Sequence, residues 1–136
     1  MLGQHDRPPT VLLVEEDPLL GLEVGDVLAE AGYRVAGPMR SQAEAMEWVR
    51  GSTPDLAVLD TSLRDGDGSR LARVLRARGV PFLVHAFPEH AVPVHADHAR
   101  DATTCAELHA APRLTKPAWP RDLVLVLGQL AREARP

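Results

Sequence analysis

Several things are scarce in this chain, and each scarcity narrows its class. Among 136 residues there is a single cysteine, Cys105, so no internal disulfide can form and a reducing, cytoplasmic setting is expected. No apolar run is long enough to span a bilayer, and the opening Met1 to Thr10 has no apolar core of a signal peptide. Positive charge is in deficit, with a net charge of −4, which argues against nucleic acid or a membrane surface as partner. Lysine occurs once, as Lys116, in a chain otherwise basic through arginine. There is no internal repeat. No glycine-rich phosphate loop follows the first strand-like run either; Glu15-Glu16-Asp17 stands there and would repel phosphates unless a metal joined them.

What is present reads as one α/β domain over residues 10–136 behind a loose tail, 1–9, that ends in Pro8-Pro9. Two runs, Val11 to Val14 and Leu56 to Leu59, are apolar without alternation, the mark of parallel strands covered on both faces. Each ends in acid: Glu15-Glu16-Asp17 after the first, Asp60 after the second. In an open parallel sheet, ligands bind beyond the carboxyl ends of the strands. If the two runs are neighbours, four carboxylates crowd one crevice and must take up protons or share a cation. A hard divalent ion with oxygen ligands, Mg²⁺, suits them best.

Around these strands the helices are marked by their caps. Asp17 with Pro18 opens one whose inward residues are Leu20, Val24, Val27, Leu28 and Ala31, ended by Gly32. Tyr33 to Gly37 makes a second strand, and Ser41-Gln42-Ala43-Glu44 a capping box for a helix with Ala45, Met46 and Val49 inward. After Asp60, Arg64 to Ser69 is a turn in which Asp67 or Ser69 caps a helix burying Leu71, Val74 and Leu75. Pro81 to Val84 is a fourth strand; a helix falls within Asp97 to Ala110; a short fifth strand surrounds Leu114; a last helix runs from Asp122. Alternating strands and helices fold most economically into a parallel sheet with right-handed crossovers.

Three motifs, Val11 to Pro18, Leu59-Asp60 with its glycine-rich turn, and Lys116-Pro117, together resemble the receiver domain of bacterial response regulators. The resemblance implies a flavodoxin-like, doubly wound five-stranded sheet of order 2-1-3-4-5 with helices on both faces. It implies that a histidine kinase or phosphotransfer protein passes a phosphoryl group to Asp60. Lys116 would contact the phosphoryl oxygens, and Mg²⁺ would be held by Glu15, Glu16, Asp60 and the main-chain carbonyl of Ser62. Any enzymatic activity would be self-phosphorylation and slow hydrolysis of the aspartyl phosphate. Output would go to an unknown downstream protein, from a domain expected to stand alone. A cis Lys116-Pro117 peptide is also implied.

This sequence departs from that pattern at three points. Glu16 stands where Asp is usual and is one methylene longer. Ala86 replaces the hydroxyl expected at the end of the fourth strand, and His85 beside it is expected to point to the opposite face. Arg113 replaces an aromatic that shifts on activation. These departures support a second reading, a degenerate receiver that binds a protein without being phosphorylated. A flavin binder or small phosphohydrolase on the same fold is a third, weakened by the missing phosphate loop. Asp65-Gly66-Asp67-Gly68 hints at a calcium loop, but Arg70 and Arg76 occupy the positions that need Gly and Glu. His90, His95, His98 and His109 with Cys105 match no zinc spacing. Surplus apolar residues on the last helix, Val124 and Leu125, suit a homodimer surface.

Overall fold

The computed structural model describes residues 7–87, 106–116 and 118–134. Among them, five strands pair in parallel in the order β2-β1-β3-β4-β5: β1 (Thr10–Val14), β2 (Arg34–Met39), β3 (Leu56–Leu59), β4 (Phe82–Ala86) and β5 (Arg113–Thr115). Between and after them run α1 (Pro18–Glu30), α2 (Gln42–Gly51), α3 (Ser69–Ala77), the short α4 (Ala106–Ala110) and α5 (Pro120–Ala134). No helix among the described residues is long and apolar enough to cross a membrane. The expected sheet order and doubly wound architecture are both found.

The period-2 alternation of side chains divides the core in two. Leu12, Val14, Ala57, Leu59, Phe82, Val84 and Ala86 face α2, α3 and α4, meeting Ala45, Val49, Leu71, Leu75 and Leu108. Val11, Leu13, Leu56, Val58 and Leu83 face the other way, against Val24 and Leu28 of α1 and Leu123 and Leu127 of α5. Each fully buried leucine here contributes on the order of 1.5–3 kcal/mol. With both faces covered, the central strands can be apolar at every position, which is why β1 and β3 showed no alternation.

Local chemistry sets the element ends. Asp17 accepts from the Leu19 and Leu20 N–H groups and Pro18 takes the first turn of α1. Gly32 and Gly79, with φ of +102° and +73°, turn the chain out of α1 and α3, each next to a closing bond from residue 33 or 80 back to Leu28 or Leu75. The inward face of α1 differs from expectation: Val24 and Leu28 are buried, but Leu20 and Val27 are half-buried and Ala31 is exposed. Gly21 is buried instead, because a Cβ there would come within 2.9 Å of Pro38. That close approach also goes with a longer β2 than expected, since its register slips against β1 and Met39 still pairs. Val74 is half-buried, whereas Leu71 and Leu75 are buried as expected. At α3 the cap position is Gly68, with no side-chain cap; Asp67 instead accepts from the N–H and hydroxyl of Ser69. The start of α5 lies at Pro120, two residues before Asp122.

The helix expected within Asp97 to Ala110 appears as α4; the part before residue 106 lies outside the described residues, as do His90, His95, His98, Cys105, Pro117 and the side chain of His109.

One tie is not a standard cap. Asp65, in the loop after β3, accepts from the N–H groups of Gln42 and Ala43, both at 2.9 Å. Ser41 accepts from Glu44 N–H at 3.0 Å, and Glu44 Oε1 accepts from Arg40 N–H at 3.0 Å. Gln42, itself buried, accepts from Leu71 N–H. The free donors at the α2 terminus are therefore satisfied from a loop 22 residues away. Replacing Asp65 by Ala removes two acceptors and should cost about 1 kcal/mol, read from urea unfolding; Asp65→Asn, which keeps one acceptor oxygen, should lose less.

Candidate functional site

Strand register carries the functional side chains to one place. Val14 pairs with Leu59, and Leu59 with Val84, so one step further along stand Glu15, Asp60 and His85. By the same alternation these extend the Val11–Leu13, Leu56–Val58 and Leu83 series, on the face toward α1 and α5. Lys116 follows Leu114 by two residues and shares that face. Backbone bonds prolong the ladder past the strand ends, from Asp60 N–H to Val14 O at 3.0 Å and from Lys116 N–H to Ala86 O at 2.8 Å.

Three of the five sequence-predicted residues form one buried cluster. Lys116 Nζ donates to Glu15 Oε2 at 2.9 Å and lies 3.3 Å from Asp60 Oδ1; all three side chains are at most 3% exposed. Ser62 joins from the loop, donating to Asp60 Oδ1 through its N–H at 3.0 Å and its hydroxyl at 2.9 Å. Glu16 is half-buried and contributes its N–H to Asp60 Oδ2 at 3.3 Å. Its carboxylate lines the cleft without an ion pair among the described residues. That cleft, about 340 Å³, is bounded by Glu15, Glu16, Asp17, Asp60, Ser62 and Lys116, with Arg40 and Phe87 at its sides. Phe87 lies beside the ammonium, its ring centroid 5.1 Å from Lys116 Nζ.

His85 is where sequence reasoning went astray. The alternation puts Ala86, not His85, on the opposite face from Asp60: Ala86 packs among Val84, Leu71 and Leu108. His85 Nδ1 lies 4.0 Å from Glu15 Oε1 and the ring is 1% exposed. Its Nε2 has no hydrogen-bond partner among the described residues. Counting residues of β4 from Leu83, which belongs inside with Val58, would have revealed this. Asp65 was also missed, because its bonds to the Gln42 and Ala43 N–H groups come from a loop distant in sequence, as was Arg40, which lines the cleft from the end of β2. Arg113, expected at the position of an aromatic, directs a guanidinium N–H to Leu108 O at 3.5 Å.

Burial and charge split the acids. Burial first, and then the Asp60 charge, push Glu15 up to about 7, against the Lys116 hydrogen bond that pulls it down. For Asp60 burial also pushes upward, but the Ser62 N–H, the Lys116 ammonium and further hydrogen bonds outweigh it and hold the carboxyl below its usual range. One acid of the pair is thus kept ionised while its neighbour holds a proton near neutrality. Burial, reinforced by Lys116, drives His85 down to about 4, so its ring is neutral at pH 7.

These shifts oppose one another in stability. Glu15, with its folded value raised, stabilises fully below about 4.5 and loses that contribution as pH rises through about 7. His85, with its folded value lowered, stabilises above about 6.5 and loses its contribution as pH falls through about 4. Glu15→Gln should therefore gain thermal stability relative to the parent chain as pH rises from 5 to 8 in chelator. A melting-point difference that stays flat across that range would contradict the raised Glu15.

The comparisons with known proteins agree with this geometry. The family model described as response regulator receiver domain matches residues 11–127. The transcriptional regulatory protein PdtaR of Mycobacterium tuberculosis is 29% identical over 103 residues, 74% of this chain and 49% of that protein. The transcriptional regulatory protein BaeR of Escherichia coli is 28% identical over 133 residues, 96% of this chain and 51% of that protein. The chain thus spans about half the length of the curated relatives it matches. Among solved structures, a response regulator receiver protein from Sinorhizobium medicae has a TM-score of 0.76 at 25% identity, covering 95% of this chain and 98% of that one. A CheY-like receiver domain protein from Methanospirillum hungatei also reaches 0.76, at 19% identity, with 94% and 97% covered. The family match runs from β1 through the acid–lysine crevice into α5, and the chain belongs to the response regulator receiver domains of two-component signalling.

Proposed function

We propose that this domain accepts a phosphoryl group on Asp60 from a phosphohistidine of a histidine kinase or phosphotransfer protein. The observation that carries the proposal is the single lysine, buried between Glu15 and Asp60 at the carboxyl end of the sheet. Asp60 is the ionised member of the pair, as a nucleophile must be. Among the described residues its Oδ1 receives Ser62 twice, at 3.0 and 2.9 Å, and lies 3.3 Å from Lys116 Nζ, whereas Oδ2 takes the longer bond from the Glu16 N–H, at 3.3 Å. Oδ2 is therefore the freer oxygen for attack. A bond forms from that oxygen to phosphorus as the phosphorus–nitrogen bond to the donor imidazole breaks, and the imidazole takes up a proton. Transfers of this kind depend on position and on neutralised charge more than on covalent help.

Receiver domains bind Mg²⁺ at an acidic pocket and interact with histidine kinases and downstream effectors. The donors here fit such an ion: they are oxygens throughout, and four carboxylates, Glu15, Glu16, Asp17 and Asp60, border one cleft with two cations, Lys116 and Arg40, among them. Asp60, Glu16 and the Ser62 carbonyl would hold it, with Glu15, turned inward to Lys116, acting through water. When bound, the ion would neutralise charge on the transferred group. Ser62 and Lys116 fix Asp60 before transfer, and Lys116 remains as a counter-charge afterwards. Hydrolysis would return the domain to its starting state, and output would pass to a downstream protein through contacts altered by the added charge.

Ala86 and Arg113 leave the phosphorylation-independent binding module as the rival. Incubation with acetyl phosphate and Mg²⁺ separates them: intact-mass spectrometry should show one phosphoryl adduct, absent in Asp60→Asn and when chelator replaces the metal. An unmodified parent chain under these conditions would favour the module.

A further inference from the structure

Lys116 alone is a poor match for the charge the site would carry. Its ammonium is already shared between Glu15 and Asp60, at 2.9 and 3.3 Å. A phosphoryl group adds further negative charge, and Ala86 offers no side-chain donor. The sheet supplies another cation from its opposite edge. Arg40 follows β2 directly, Lys116 follows β5, and these are the two outer strands of the order β2-β1-β3-β4-β5. Asp60, on the middle strand, lies between them, and Arg40 lines the same cleft.

Two features make Arg40 more than a surface charge. Its backbone is held: Arg40 N–H donates to Glu44, Ser41 caps α2, and Asp65 binds the next two N–H groups from the loop that also carries Ser62. The base of the Arg40 side chain is therefore fixed relative to the Asp60 loop. Its guanidinium, by contrast, makes no hydrogen bond or ion pair among the described residues, although Glu16 and Asp17 border the same cleft. A planar fork of donors without a partner among the described residues, on a residue lining the cleft that Asp60 also lines, suits a tetrahedral oxyanion, which it can meet with two parallel hydrogen bonds.

We infer that Arg40 is the second cation of this site, contacting the oxygens of a phosphoryl group carried by Asp60 and standing in for the donor that Ala86 lacks. The inference rests on Asp60 being the acceptor, so its test must separate the two. Beryllofluoride, a stable mimic of a carboxylate-bound phosphoryl group, is titrated by calorimetry into the full chain with saturating Mg²⁺; Mg²⁺ alone is titrated in parallel. Arg40→Ala should weaken beryllofluoride binding about tenfold or more, the loss expected for a charge-assisted hydrogen bond. Arg40→Lys, which keeps the charge and loses the fork, should fall between. Affinity for Mg²⁺ alone should not drop, since a positive neighbour is removed, and the melting point should hold because only the backbone of Arg40 joins the α2 cap. Equal beryllofluoride affinity in the parent and Arg40→Ala would overturn the role of Arg40 while leaving Asp60 as acceptor. No beryllofluoride binding by the parent, with Asp60→Asn indistinguishable from it, would overturn both.

Discussion

Two carboxylates on adjacent strands, one row beyond the last apolar pair, cannot both be ionised out of water without a cation, and Lys116 is the cation this chain provides. The rest of the site follows from that constraint. A buried ion pair of this kind is poor evidence of added stability, because removing three charged groups from water costs as much as their attraction returns. What it gives is asymmetry. Lys116 and the Ser62 loop favour charge on Asp60, while burial leaves Glu15 close to neutral pH. Two residues of nearly identical chemistry are thereby given different charge states by their surroundings, Asp60 held ionised and Glu15 holding its proton up to about pH 7.

The sheet is the means of delivery. Parallel pairing brings the carboxyl ends of β1, β3, β4 and β5 to one edge, and period-2 alternation decides which residues at that edge look toward α1 and α5. The faces carry unequal burdens. Toward α2 and α3 the series ends in Ala86 and remains apolar; toward α1 and α5 it ends in Glu15, Asp60, His85 and Lys116. Four ionisable groups thus sit on top of a wholly apolar stack, which is why burial dominates the shifts of Glu15 and His85. The loop after Asp60 is held from outside this stack by Asp65 on the α2 terminus, so Ser62 is presented by a fastened segment.

Much of this was legible in the sequence, and the reasons are physical. Val11 to Val14 and Leu56 to Leu59 are uninterrupted apolar runs, which only doubly covered strands tolerate, so the parallel sheet followed from them. The acids after each run and the only lysine marked the edge where chemistry gathers. The β1 and β3 termini were recoverable to within a residue because the polar switch is abrupt, whereas β5, a three-residue strand with a single apolar side chain, was legible only as a short strand around Leu114. At β2 it is not: Gly37 and Pro38 look like a strand end, yet a register slip lets the pairing continue to Met39. His85 was misjudged because the resemblance, and not the alternation from Leu83, was used to orient β4. Asp65 was weighed only as a calcium ligand, since a cap supplied from a distant loop has no local signature. Nothing in the sequence alone marks Arg40, since only the sheet order places it, just after one outer strand, across from Lys116 after the other.

Carbon-13 NMR titration of the side-chain carboxyls in metal-free protein tests the central claim most directly, because it reads Glu15 and Asp60 separately. The account predicts that Asp60 stays ionised to below the ordinary carboxylate range while Glu15 titrates near pH 7, and that Lys116→Met draws Asp60 upward. Both carboxyls titrating together near 4, with no response to the loss of Lys116, would contradict it.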